Sequence, residues 1–172
     1  ELIDERFRDG EDGRRAFRAR FLGPVEVLDQ REDQRVGGEQ PELPIAERAG
    51  DEVMSPALTF IATTNAIAYC GASPHFIDSS FRTLGMDAQA LGARLDAIAQ
   101  RGADGTINRE TGRKIAAIAP MHTFGHPVDM DEIVAIARHW DIAVVEDAAE
   151  SLGSTYKGHA VGSQARLAAL SF

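Results

Sequence analysis

The chain has 172 residues, carries 27 acidic against 18 basic side chains for a net charge of −9, and contains one cysteine. That length suffices for one domain with a real core, and an acidic balance without a basic patch argues against a nucleic-acid partner. No apolar run approaches the ~18 residues of a membrane-spanning helix, no secretory signal is evident, and the lone Cys70 forms no internal disulfide, which fits a reducing, cytoplasmic setting.

Residues 1–49 read as a charged lead segment. The first 50 positions hold 13 acids and nine arginines, with apolar residues scattered among them. Arg14–Phe21 suits a short basic helix, and Asp29–Leu43 reads as exposed loop or disorder. From residue 50 to 172 the texture changes to alternating strand and helix signals. Glu52–Ser55 is a strand ending at Pro56. Ala62–Tyr69 is a helix opened by the Thr63–Thr64–Asn65 cluster and stopped at Gly71. His75–Ile77 is a strand. Asp87 caps a helix running to about Ala99, with Leu91, Leu95 and Ile98 on one face. Arg101–Lys114 reads as polar loop. Ile115–Pro120 is a buried strand, followed by a loop at His122–Pro127. Asp129 caps a further helix, with Glu132 placed for a capping box and Ile133, Ile136 and Ala137 facing inward. Ile142–Val145 is a buried strand, Thr155–Val161 a hairpin turning at Lys157–Gly158, and Leu167–Phe172 a final apolar strand, expected to be an exposed sheet edge. The alternation predicts an α/β fold: a mostly parallel sheet flanked by helices.

The most informative stretch is Ile142–Ser154. Its apolar run feeds directly into Glu146 and Asp147, at the strand end where open α/β sheets place their ligands. A carboxylate there suits a permanent cation such as a protonated pyridine nitrogen, because an unpaired buried charge is costly. Capping of the next turn or pairing with an arginine is an equal alternative for Asp147. Glu150, three residues on, would share its face if the segment turns helically, and otherwise faces solvent. Thr63 and Thr64 begin a helix, where N–H groups and hydroxyls suit a phosphate or serve as ordinary caps. Ser171 ends an apolar strand, and its hydroxyl could reach the same anion, although a serine in Leu-Ser-Phe is by itself unremarkable. His122 and His126 lack the helical setting a metal pair at that spacing needs, so no metal site is expected, and His122 reads better as a loop histidine near a bound cofactor. No glycine-rich dinucleotide fingerprint or P-loop is present.

Taken together, Gly50–Ile67, Pro120–Asp131, Val145–Ser151, Tyr156–Gly158 and Leu170–Phe172 resemble, in order and spacing, the large-domain signatures of the DegT/DnrJ/EryC1/StrS aminotransferases. The resemblance covers about residues 50–172. It implies part of the large domain of a fold-type-I transferase that uses pyridoxal 5′-phosphate. It also implies a homodimer, an amino-acid donor (usually glutamate) and a keto nucleotide sugar as acceptor, in surface-glycan or nonulosonic acid biosynthesis. By the same resemblance Asp147 pairs with the pyridine nitrogen and Glu150 sits near the ring hydroxyl. Thr63, Thr64 and Ser171 hold the phosphate.

The departures are specific. The family's Schiff-base lysine lies a few residues beyond the Ser171–Phe172 pair, and neither Lys114 nor Lys157 occupies its place. Leu84 stands where an aromatic often stacks on the ring, and Gln164–Ala165–Arg166 replaces a glycine-containing turn. A catalytically dead remnant acting as a binding or dimerisation module is therefore the second reading, and an unrelated nucleotide-binding α/β domain the third.

Overall fold

The structure, a computed structural model, describes residues 25–29 and 49–171. The readings made for Arg14–Phe21 and for 30–43 lie outside the described residues. The main sheet has six strands: β1 (Val25–Asp29), β2 (Glu52–Pro56), β3 (Ser73–Ile77), β6 (Ile115–Ile118), β7 (Ala143–Asp147) and β10 (Leu167–Ser171), in the order β1-β10-β7-β6-β2-β3. All neighbours run parallel except β1, which pairs antiparallel with β10. Helices α2 (Ala88–Ile98) and α3 (Met130–Trp140) cover one face and α1 (Ile61–Tyr69) covers part of the other.

Period-two alternation sends successive side chains to opposite faces, and the two apolar clusters follow it except at Ile115, where the β2–β6 register shifts. Met54, Ile77, Ile115 and Ile118 pack with Leu91, Leu95, Ile98, Ile133 and Ala137 of α2 and α3. Val53, Ala117 and Ala119 pack with Ile67 of α1. Leu91, Leu95 and Ile98 are fully buried, as their spacing on one helical face predicts. The Asp87 side chain accepts the Ala90 N–H at 2.9 Å and so caps α2. Among the described residues no helix is long and apolar enough to cross a membrane.

Four expectations are corrected. Arg101–Lys114 is not simply loop: β4 (Ala99–Gly102) and β5 (Gly105–Asn108) form a hairpin whose turn ends at Gly105, with φ +113°. Its tip, Asp104-Gly105, is a turn signal, but its polar outer face hid the strands. The hairpin is anchored on the sheet, since Asn108 Nδ2 and Thr111 Oγ1 donate to the buried Glu52 carboxylate at 2.8 and 2.7 Å. Asp129 occupies the position before α3, but its side chain makes no cap bond; it pairs with Arg82, a cation that outcompetes a backbone donor. The last strand is not an edge, because β1 lies outside it over five residue pairs. The lead segment is thus not wholly without structure: Val25–Asp29 alternates β-formers and takes its order from the open β10 backbone. The hairpin of β8 (Thr155–Tyr156) and β9 (His159–Ala160) turns at Lys157 and Gly158, both left-handed at φ 49° and 85°, as its sequence predicts.

Candidate functional site

Strand β7 carries two adjacent carboxylates to opposite faces. Asp147 points to the α1 face at the C-terminal end of the sheet, where Thr63 Oγ1 of α1 donates to its Oδ2 at 2.5 Å and the Ala149 N–H to its Oδ1 at 3.2 Å. Its backbone is fixed by the chain after β6: the Asp147 N–H donates to Pro120 O at 2.8 Å, and the His122 N–H to Asp147 O at 3.0 Å. Asp147 is half-buried. None of the ion pairs among the described residues involves it. A partly desolvated carboxylate with two neutral donors has capacity for a cation.

Thr63 and Thr64 lie in the first turn of α1, which starts at Ile61 with Phe60 before it. Only Thr63 meets Asp147. The Thr64 hydroxyl turns back onto its own helix and donates to Ile61 O at 3.0 Å. Ser171 lies two residues beyond Ala169, the register partner of Asp147, so it shares that face one pleat further along, roughly 7 Å away by strand geometry. It is half-buried. Glu150 is exposed and reaches across to the loop after β6, where its Oε2 accepts the Phe124 N–H at 2.8 Å.

Glu146 and His122 form a second site that sequence reasoning missed. Both are fully buried, on the α2–α3 face, with His122 Nε2 donating to Glu146 Oε1 at 2.9 Å. The carboxylate also accepts the N–H groups of Gly162, Gln164 and Ala165 at 2.6, 3.1 and 3.3 Å. His122 Nδ1 accepts the Val128 N–H at 3.2 Å, so the proton on Nε2 is assigned by its partners. Burial opposes ionisation of Glu146, but the bonds from His122, Gly162 and Gln164 outweigh it and hold the carboxyl below the ordinary glutamate value. The expectation that His122 lines a cofactor site is thereby corrected: its ring is used up on the opposite face from Asp147. The available signal was the alternation itself, which forces Glu146 and Asp147 apart.

The loop between His122 and His126 is short and tightly held. Phe124 has a left-handed backbone, φ 55°, and Gly125 follows at φ 78°. A Cβ on Gly125 would lie 3.1 Å from Glu150 O. Phe124 is 69% exposed, and Phe60 and Ile61 at the start of α1 are exposed to a similar degree. The Phe60 N–H meets Met121 Sδ at 3.3 Å, and the Met121 backbone bridges to that of Asp147, so the start of α1 and the chain after β6 meet beside the end of β7. Leu84 lines a cavity with Phe81, Arg82, Thr83, His126 and Pro127. The two lysines sit in the β8–β9 turn and just before β6. Lys157 pairs with Asp131, and Lys114 lies beside Gly105 of the β4–β5 hairpin.

Comparison with known proteins gives a consistent result. The family model described as "DegT/DnrJ/EryC1/StrS aminotransferase family" matches residues 43–172. The chain is 42% identical over 123 residues to GDP-perosamine synthase of Caulobacter vibrioides, covering 72% of this chain and 29% of that protein. It superposes with a TM-score of 0.58 and 33% identity on an aminotransferase from Psychrobacter cryohalolentis, covering 71% of this chain and 27% of that one. An E. coli GDP-4-keto-6-deoxy-D-mannose-3-dehydratase solved with bound hydrated PLP superposes with a TM-score of 0.52 and 26% identity, over 67% of this chain and 25% of that one. The chain spans under a third of the length of the curated relatives it matches.

Proposed function

Since the chain belongs to the DegT/DnrJ/EryC1/StrS aminotransferase family, we propose that it is the part of a pyridoxal-phosphate-dependent aminotransferase that seats the cofactor ring. The amino group would pass from an amino acid such as glutamate to a keto nucleotide sugar. One observation carries this reading: Asp147, half-buried at the carboxyl end of a central strand, is held by the Thr63 hydroxyl and the Ala149 N–H, with no cationic partner among the described residues. That donor set fits a pyridinium, whose charge would neutralise the carboxylate.

When bound, the protonated ring serves as an electron sink for the carbon attached opposite its nitrogen. Asp147 keeps the proton on that nitrogen, because removing it would leave a carboxylate without its counter-charge. Glu150 has one oxygen committed to the Phe124 N–H and a second available to the ring hydroxyl. For the phosphate, the N–H groups opening α1 provide donors and Ser171 adds a hydroxyl. Thr63 and Thr64 would join them only by exchanging their present acceptors, Asp147 and Ile61 O. Neither Lys114 nor Lys157 can supply the amine that joins the cofactor covalently, so that group comes from outside the described residues. The exposed Phe60, Ile61 and Tyr69 of α1 suit burial against a second copy in a homodimer, and the single cysteine suits a cytoplasmic enzyme.

The test uses the full-length protein loaded with pyridoxal phosphate, glutamate and a panel of keto nucleotide sugars. Mass spectrometry should detect an amino sugar and 2-oxoglutarate in equal amounts. Asp147→Asn should lower turnover by several orders of magnitude, since the electron sink fails without a ring proton. Near-normal turnover in that variant refutes the role assigned to Asp147.

A further inference from the structure

We infer that Phe124 forms a wall for the sugar ring of the substrate, and that Glu150 is the residue that positions it. The inference rests on the cofactor reading above and extends it to how the acceptor is recognised. Three observations converge on the loop. Phe124 adopts a left-handed backbone that non-glycine residues rarely take. Its side chain is 69% exposed and so contributes little to the core. It is nonetheless fixed from both sides: the Glu150 carboxylate accepts its N–H at 2.8 Å, and Ser154 Oγ donates to the next carbonyl, Gly125 O, at 3.0 Å. A side chain at Gly125 would be strained, because its φ is +78° and a Cβ would lie 3.1 Å from Glu150 O. A strained conformation kept by the surrounding structure, displaying a mostly exposed aromatic ring, is characteristic of a ligand-contacting position.

The location specifies the ligand. The loop leaves β6 beside Asp147, through the His122 N–H bond to the Asp147 carbonyl. If Asp147 faces the ring nitrogen and Glu150 the ring hydroxyl, Phe124 stands on the hydroxyl side. In pyridoxal phosphate the hydroxyl neighbours the carbon bearing the aldehyde, where the substrate is joined. A flat apolar ring at that place suits the C–H face of a pyranose. One carboxylate, Glu150, would then touch both the cofactor and the loop that shapes the acceptor site, so that loading the ring orders the sugar wall.

The experiment uses the full-length holoenzyme and separates the two half-reactions. Phe124→Ala should raise KM for the keto nucleotide sugar about tenfold, the loss expected for an aromatic contact. The half-reaction with glutamate, which involves no sugar, should keep its rate, and the visible absorption of the bound cofactor should be unchanged. Calorimetry with the product amino sugar should show the same tenfold loss in Kd. Glu150→Ala should weaken sugar binding to the level of Phe124→Ala, and the double variant should be no worse. Glu150→Gln retains an oxygen for the Phe124 N–H and should recover most of the sugar affinity. An unchanged sugar KM in Phe124→Ala overturns the inference. So does an equal loss in both half-reactions, which would mark a merely structural role, or dimer dissociation with sugar affinity intact, which would mark a subunit contact. If the unsubstituted protein takes up no cofactor, the reading of the preceding subsection fails first and this one with it.

Discussion

Glu146 and Asp147 are neighbours in the chain and opposites in the fold. Glu146 is fully buried, with both oxygens occupied by His122 and three backbone N–H groups. Asp147 is half-buried, held by two neutral donors and no cation among the described residues. The first has no capacity left for a ligand and ties β7 to the segment before β10. The second keeps capacity because the sheet's far face is only partly covered by α1. Two acids side by side in a strand are therefore not one acidic site, and satisfaction of hydrogen-bonding groups separates structure from function where residue type cannot.

Breaking the structural half should have the largest effect on stability. His122→Ala leaves a buried carboxylate short of its side-chain donor and orphans the Val128 N–H, at a cost of about 3 kcal/mol measured by denaturant unfolding. Asp147→Asn should change unfolding free energy by about 1 kcal/mol or less, since an amide oxygen still accepts from Thr63. A reversed ranking would mean the two acids have been assigned the wrong roles. Between these lies the hairpin anchor. Asn108→Ala removes one donor from the buried Glu52 carboxylate and should cost about 1–3 kcal/mol by the same assay.

Acid sharpens the comparison further. Because the folded protein holds Glu146 below its unfolded value, the stability it contributes is complete above the unfolded glutamate pKa of about 4.3 and is lost as pH falls through the lower folded value. Thermal midpoints should hold from pH 7 to about 5 and drop below that. Glu146→Gln should start lower and show a shallower drop. A last effect is chemical and leaves stability untouched. Burial pushes the Cys70 thiol to about 11, so alkylation at pH 8 should run roughly a hundredfold slower folded than in denaturant.

Much of this was legible in the sequence. Apolar runs placed the central strands and all three helices, and the acids at the end of β7 marked the candidate site; of the capping signals only Asp87 holds, since α1 starts after Phe60 without a side-chain cap and Asp129 turns to Arg82. What stayed hidden depended on contacts between distant segments. His122 read as a loop residue because its partner, Glu146, lies across a strand pairing. Asp129 read as a helix cap because its real partner, Arg82, is 47 residues away in the chain. The strand Val25–Asp29 read as lead segment because its partner, β10, lies more than 130 residues away in the chain. For Glu150 the spacing offered either a face shared with Asp147 or exposure to solvent; its bond to Phe124 required the left-handed turn, which no local signal announces for phenylalanine.

The protonation state of the cofactor ring tests the central claim most directly. Nitrogen-15 NMR of ring-labelled pyridoxal phosphate bound to the full-length protein reports that state without reference to turnover. The account predicts a protonated ring nitrogen at neutral pH in the unsubstituted protein and a neutral one in Asp147→Asn. An identical nitrogen shift in both proteins would contradict it.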